Sequence, residues 1–179
     1  MSSIKLVGST SGEITISAPA VAGTSTLTLP TGTGTIITDT APKAGNVLQV
    51  VQSQIATTQS TTSTSNVASG LQASITPSST SSKILIMLNG GNAWNDTNSR
   101  NVLVTLYRDG SAVETGPHAL IENTSGTNSF KSSWSASYLD SPSTTSSITY
   151  EPYYKVVAGT GYFNQATVRV MLTLMEIAG

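Results

Sequence analysis

The sequence predicts an all-β protein: an extended N-terminal β arm over residues 1–42, then a β-sandwich over 43–179, jelly-roll-like in its number of strands. Three observations predict it. Helical periodicity is nearly absent, while runs that alternate apolar and polar residues recur along the chain. Ser and Thr make up about a third of the residues, well above ordinary usage, and the β-branched Thr, Val and Ile favour strands. Gly and Pro punctuate the chain every few residues, so few segments are long enough for a helix.

The arm offers short strands at 4–7, 13–17, 25–29 and 35–38, separated by the turn-rich stretches GSTSG, APAVAG and PTGTG. Residues 24–38, TSTLTLPTGTGTIIT, carry no charge, and their apolar members are Leu27, Leu29, Ile36 and Ile37. About four such side chains, at ~1.5–3 kcal/mol each when buried, do not offset ~1–2 kcal/mol for each of some forty ordered residues. The arm is therefore expected to trimerise or to lie on another protein, with Leu27, Leu29, Ile36 and Ile37 as the assembly interface. Threonine suits such a thin layer, since its β-branch favours strands and its hydroxyl tolerates water.

The sandwich opens with NVLQVVQSQI and a Ser/Thr-rich loop at 57–65. SKILIMLNG puts Ile84, Ile86 and Leu88 on one face and Leu85 and Met87 on the other. RNVLVTLYRDG likewise sets Val102, Val104 and Leu106 against Leu103 and Tyr107, and Asp109-Gly110 signals a hairpin turn back into SAVET. SFKSSWSASYLD and SSITYEPYYKVV are further strands with alternating aromatics. The last strand, 168–177, is apolar on both faces: Val168, Val170, Leu172 and Leu174 against Met171 and Met175. Such a strand belongs at the centre of a sheet or between a sheet and an interface. About eight strands separated by turns suggest a jelly roll, with other Greek-key sandwiches as alternatives.

Composition excludes several function classes. Lys and Arg total 8 and the net charge is −1, which leaves no basic footprint for nucleic acid. With no cysteine there is neither a disulfide frame nor a thiolate metal site. No apolar run reaches bilayer length, so no membrane insertion is expected. MSSIKLVGSTSG lacks the apolar core of a secretory signal, which points to synthesis in a cytoplasm and release by another route such as lysis.

Catalysis finds no support either. His118 is the single histidine, in TGPHALIEN, and no GxSxG elbow accompanies it. It reads as a loop or strand-end residue. The carboxylates are scattered, and they read as hairpin-turn and solvated strand-edge groups rather than a glycosidase pair. NAWNDTNSRN has the composition of a calcium loop but neither DxDxDG spacing nor a final Glu, so no metal or cofactor is expected. Most of the large aromatics read as core. Trp94 stands apart, in a Gly/Asn-rich stretch read as a loop, as a surface contact for a partner subunit or a receptor.

GSTSGEITISAPAVAGTSTLTLPTGTGTIITD resembles segments of tail-fibre and other virion proteins of tailed bacteriophages, and GLQASITPSSTSSKILIML, LDSPSTTSSITY and LTLMEIAG resemble a C-terminal module of cyanophage-like structural proteins. The resemblance covers nearly the whole chain. It implies a virion protein made in the host cytoplasm and not an enzyme: a small homotrimeric tail-fibre-type protein with an attachment or host-recognition role. Its partners would be tail or baseplate proteins and a host surface glycan. The alternative it implies is a capsid decoration, or cement, protein whose arm binds the lattice of the major capsid protein. Size is the departure from the pattern, for a tail fibre has a long shaft and 179 residues leave almost no room for one.

Overall fold

Alternating Ile and Leu build the first element. β1 (Ser3–Val7) and β2 (Glu13–Ser17) pair antiparallel, with Ile4 opposite Ile16, Lys5 opposite Thr15 and Leu6 opposite Ile14. Paired residues share a face, so Ile4, Leu6 and Ile16 lie on one side of the hairpin. They stay open to solvent, at 64%, 54% and 47% exposure. The computed structural model describes residues 3–7, 10–17, 42–97, 101–122, 131–165 and 168–179. The expected strands at 25–29 and 35–38, with Leu27, Leu29, Ile36 and Ile37, lie outside the described residues.

The chain divides into two units, Met1–Ile36 and Ile37–Gly179. In the second, β3 (Val47–Ile55) and its continuation β4 (Gln59–Thr61) take the first strand position, and β5 (Val67–Ala68) with β6 (Ala73–Ile75) the second. β7 (Lys83–Asn95) and β8 (Asn101–Arg108) follow, and the two-residue β9 (Ser111–Ala112) turns back on β8. Then come β10 (His118–Glu122), β11 (Ser132–Asp140) and β12 (Ile148–Val156), while β13 (Gly161–Asn164) and β14 (Val170–Ile177) share the last position.

One sheet runs β3–β14–β7–β11, with β4 and β13 prolonging its first two members. The other runs β10–β8–β12 and ends in β5 and β6. By position, first-eighth-third-sixth faces second-seventh-fourth-fifth. That interleaving of two Greek keys is a jelly roll.

The core between the sheets follows the alternation. Ile84, Ile86 and Leu88 of β7, Val170, Leu172 and Leu174 of β14, and Val102, Val104 and Leu106 of β8 are all buried. β12 alternates strictly and buries Ile148, Tyr150, Tyr154 and Val156. The predicted central strand is central, with β3 on one edge and β7 on the other, although it starts at Val170 rather than Val168. Asp109 and Gly110 have φ of 48° and 79°, the positive pair that a two-residue type I′ turn requires.

Two expectations need correction. The stretch 57–65 is not all loop, because β4 lies within it and pairs with β13. Trp94 is not in a loop: β7 runs on through it to Asn95. The extension depends on a bulge at Gly90 and Gly91, where the β11 register slips. Gly91 has φ of 74°, and a Cβ there would lie 2.7 Å from Trp134 Nε1 and 2.8 Å from Val170 Cγ2. Only glycine fits that turn of the strand. Past it, β7 leaves β14 and pairs with β13 instead.

Candidate interaction surface

Several ionisable side chains help to hold the sandwich together. Asp140 Oδ2 accepts from Arg108 Nη1 and from the Tyr150 hydroxyl, both at 2.6 Å, and Oδ1 accepts from the Ser141 N–H at 2.8 Å. The cluster ties β11 in one sheet to β8 and β12 in the other. Burial, and then the Asp140 carboxylate, push the Tyr150 hydroxyl far above its usual range. For Arg108, burial works the other way, but Asp140 prevails and raises it. Asp96 Oδ1 accepts from the Thr160 N–H at 2.7 Å, which holds that carboxyl below its ordinary value.

Glu176 is completely buried. Its Oε1 accepts from the Ser78 N–H at 2.7 Å, Ser78 Oγ at 2.6 Å and Ser82 Oγ at 2.7 Å, and its Oε2 accepts from Gln49 Nε2 at 2.6 Å. Burial alone would raise this carboxyl, yet the four hydrogen bonds together lower it. Asp140 and Glu176 are therefore not the turn and edge groups that the sequence suggested. Both are buried polar anchors at strand ends.

His118 is the first residue of β10, a strand-end histidine as expected, and half-exposed. Its Nε2 lies 2.7 Å from Glu114 Oε2, while Glu114 Oε1 accepts from the Leu106 N–H at 3.0 Å. The crevice beside them, walled by Leu88, Val104 and Tyr138, has room for about one water. Among the described residues no three His, Asp or Glu side chains gather as a metal site would need.

Trp134, Tyr150, Tyr154 and Phe163 are core, with Phe163 lying 5.0 Å from Trp134 and 5.4 Å from Tyr154, ring to ring. Trp94 points the other way. It stacks on Tyr162 at 4.4 Å, with the Lys131 ammonium 5.0 Å from its ring centroid. Its surface is thus shared with two neighbours of its own chain, which the sequence did not signal.

The outer faces of the two sheets differ. On the β8–β12 sheet the outward residues include Leu103, Tyr107, Glu151, Tyr153 and Lys155, a mixed face that carries charge of both signs, with Thr105 covered and Tyr107 and Tyr153 stacked at 4.0 Å. On the β3–β14–β7–β11 sheet the register lines up rows across all four strands. One row reads Val50–Met175–Leu85–Leu139, apolar from edge to edge. The next reads Gln52–Thr173–Met87–Ser137, then Gln54–Met171–Asn89–Ser135, and at the opposite end Val47–Ile177–Lys83. Val47, Val50 and Leu139 are 54%, 55% and 50% exposed. Lys83 is the one charged residue in these four rows, and three of the chain's 4 methionines lie in them.

No protein-family model matches the chain, and no curated protein matches it. Among solved structures it is similar to the VP2 subviral particle of infectious bursal disease virus, at 13% identity and a TM-score of 0.47, over 86% of this chain and 37% of that one. It is also similar to the structure of the Gt strain of that virus, at 12% identity and a TM-score of 0.40, over 97% of this chain and 50% of that one. The chain thus spans half or less of the length of these two proteins.

Proposed function

We propose that this protein is a non-enzymatic structural component of a tailed-bacteriophage virion: a small, homotrimeric, tail-fibre-type protein in which the arm attaches and the jelly roll forms a distal head. The observation that carries the reading is the β1–β2 hairpin, whose Ile4, Leu6 and Ile16 are exposed on one face. A two-stranded hairpin is marginal by itself and needs a packed layer on its apolar side. A segment built this way attaches to something. The bacteriophage character comes from the resemblance of the arm and sandwich motifs, and a host surface glycan remains the proposed receptor.

A second reading, the capsid decoration protein, draws support from the nearly uncharged outer face of the β3–β14–β7–β11 sheet. Flat faces of that kind suit lateral packing in a shell. Gly179 is exposed in the single chain, so it can carry a C-terminal label. Imaging labelled virions is expected to give signal confined to the tail. Signal over the whole shell would establish decoration instead, and unlabelled virions would end both readings.

Deleting residues 1–42 is expected to leave a folded jelly roll that no longer joins the virion, since the sandwich core is complete within Ile37–Gly179. The checks are cooperative unfolding of the truncated protein and its absence from purified particles. Incorporation at the wild-type level would show that the arm is dispensable for attachment.

A further inference from the structure

We infer that the outer face of the β3–β14–β7–β11 sheet is a contact between two copies of this chain, which meet about a two-fold axis parallel to the strands. An antiparallel sheet with one face in water normally shows polar and charged residues there. This face instead offers a full-width apolar row, then rows of amides and hydroxyls, with one lysine near its end. Depletion of charge and enrichment in methionine mark the centres of protein interfaces rather than free surface. The outward face of the opposite sheet, with Glu151 and Lys155, is the internal contrast.

Area decides between a stable contact and a fleeting one. Four strands about 4.8 Å apart and four rows about 6.8 Å apart make a face of roughly 500 Å². Two such faces bury about 1,000 Å², the floor for a biological contact and below the ~1,200–2,000 Å² of stable ones, so the pairing is weak and is sought at high concentration.

Register decides the partner. A two-fold axis along the strands lays β3 of one copy over β11 of the other, and β14 over β7, with every row meeting itself. The row Val50–Met175–Leu85–Leu139 then faces Leu139–Leu85–Met175–Val50, apolar on apolar throughout. Gln52 and Gln54 fall on Ser137 and Ser135 of the second copy, while Thr173 meets Met87 and Asn89 meets Met171. Lys83 lies over the second copy's Ile177 rather than its Lys83, so its methylenes pack and the charges stay apart. The face is complementary to itself, as an isologous contact demands.

The contact stands apart from the question of tail or shell, and the test needs only purified protein. Met175→Lys puts a charge at the centre of the face, and its mass by sedimentation equilibrium at tens of micromolar is expected to be half that of the wild type. The ratio is the readout, because a trimer held by its arms would pair into a hexamer and fall back to a trimer. Tyr153→Lys, on the other sheet, is expected to leave the mass unchanged. A Met175→Lys protein of wild-type mass and wild-type unfolding would overturn the inference, since the face would then belong to another protein or to none. Should Met175→Lys fail to fold, cross-linking decides. The chain has no cysteine. Facing sheets lie about 10 Å apart, too wide for a direct disulfide, so a short bis-maleimide is the probe. On the Val50→Cys/Leu139→Cys double variant it is expected to give covalent dimers, with little from either single variant. No interchain cross-link in the double variant, or equal yield from a single one, would rule the two-fold pairing out.

Discussion

Replacing Glu176 by Ala is expected to destabilise the jelly roll by about 3 kcal/mol, since it empties a fully buried site and takes the acceptor from the buried Ser82 hydroxyl and from partly exposed donors of Ser78 and Gln49. Four donors converge on this carboxylate: the Ser78 N–H and hydroxyl, the Ser82 hydroxyl and the Gln49 amide. They come from β3, from the loop between β6 and β7, and so clamp the end of β14 on two sides. The hydroxyls can turn to new partners, but the Ser78 N–H cannot, and the Gln49 amide is held by its second bond to the Thr76 carbonyl at 2.7 Å. No Lys or Arg pairs with Glu176 among the described residues, so the charge rests on hydrogen bonds alone.

Glu176→Gln tests the charge itself. The folded carboxyl lies below its unfolded value, so as pH falls the unfolded chain takes up the proton first. The contribution is intact above about pH 4.3 and is lost as pH drops through the folded pKa. Wild type should therefore exceed Glu176→Gln most at pH 7, with the gap closing below about pH 4. Both tryptophans, Trp94 and Trp134, lie in the sandwich and report its unfolding in urea. A gap unchanged from pH 7 to pH 3 would mean that shape, not charge, sets the cost.

Glu176 also shows where legibility stopped. The alternation Val170, Leu172, Leu174 already points the next residue in step, Glu176, at the core. Residue type argued otherwise, because an acidic side chain near a chain end ordinarily belongs in water. Only the distant Ser78, Ser82 and Gln49 make burial tolerable, and such long-range partners leave no local trace. Asp140 was missed for the same reason: Arg108 and Tyr150 reach it from the other sheet.

Local rules did well where local physics decides. The faces of β7 and β8 and the Asp109-Gly110 turn were all legible, because side-chain alternation and positive φ are properties of a few adjacent residues. Trp94 was misplaced because Asn89-Gly90-Gly91-Asn92 reads as a loop, whereas the two glycines form a bulge that lets the strand continue. β4 was hidden because its partner, β13, lies about a hundred residues away in the chain. Strand order itself is a matter of such pairings, so the sequence suggested a jelly roll by strand count, while its topology had to come from the structure.

The central place of β14 yields the second large effect. Leu172 is fully buried, flanked by Ser53 of β3 and Leu88 of β7, and it points between the sheets. Leu172→Ala is expected to cost ~2–5 kcal/mol, the lost transfer energy plus a cavity that paired strands on both edges keep from collapsing. That is a large share of the ~5–15 kcal/mol by which domains of this size are stable. Val50→Ala is the matched control: it sits in the same sheet but on the outer face, 55% exposed, and a surface change usually stays within about 0.5 kcal/mol. Unfolding should be followed below the concentration at which copies associate, since burial of Val50 in a second copy would add to its cost. A Leu172→Ala midpoint that moves no further than that of Val50→Ala would mean that β14 is not clamped between β3 and β7, and the pairing order on which the jelly roll and its outer rows both rest would be wrong.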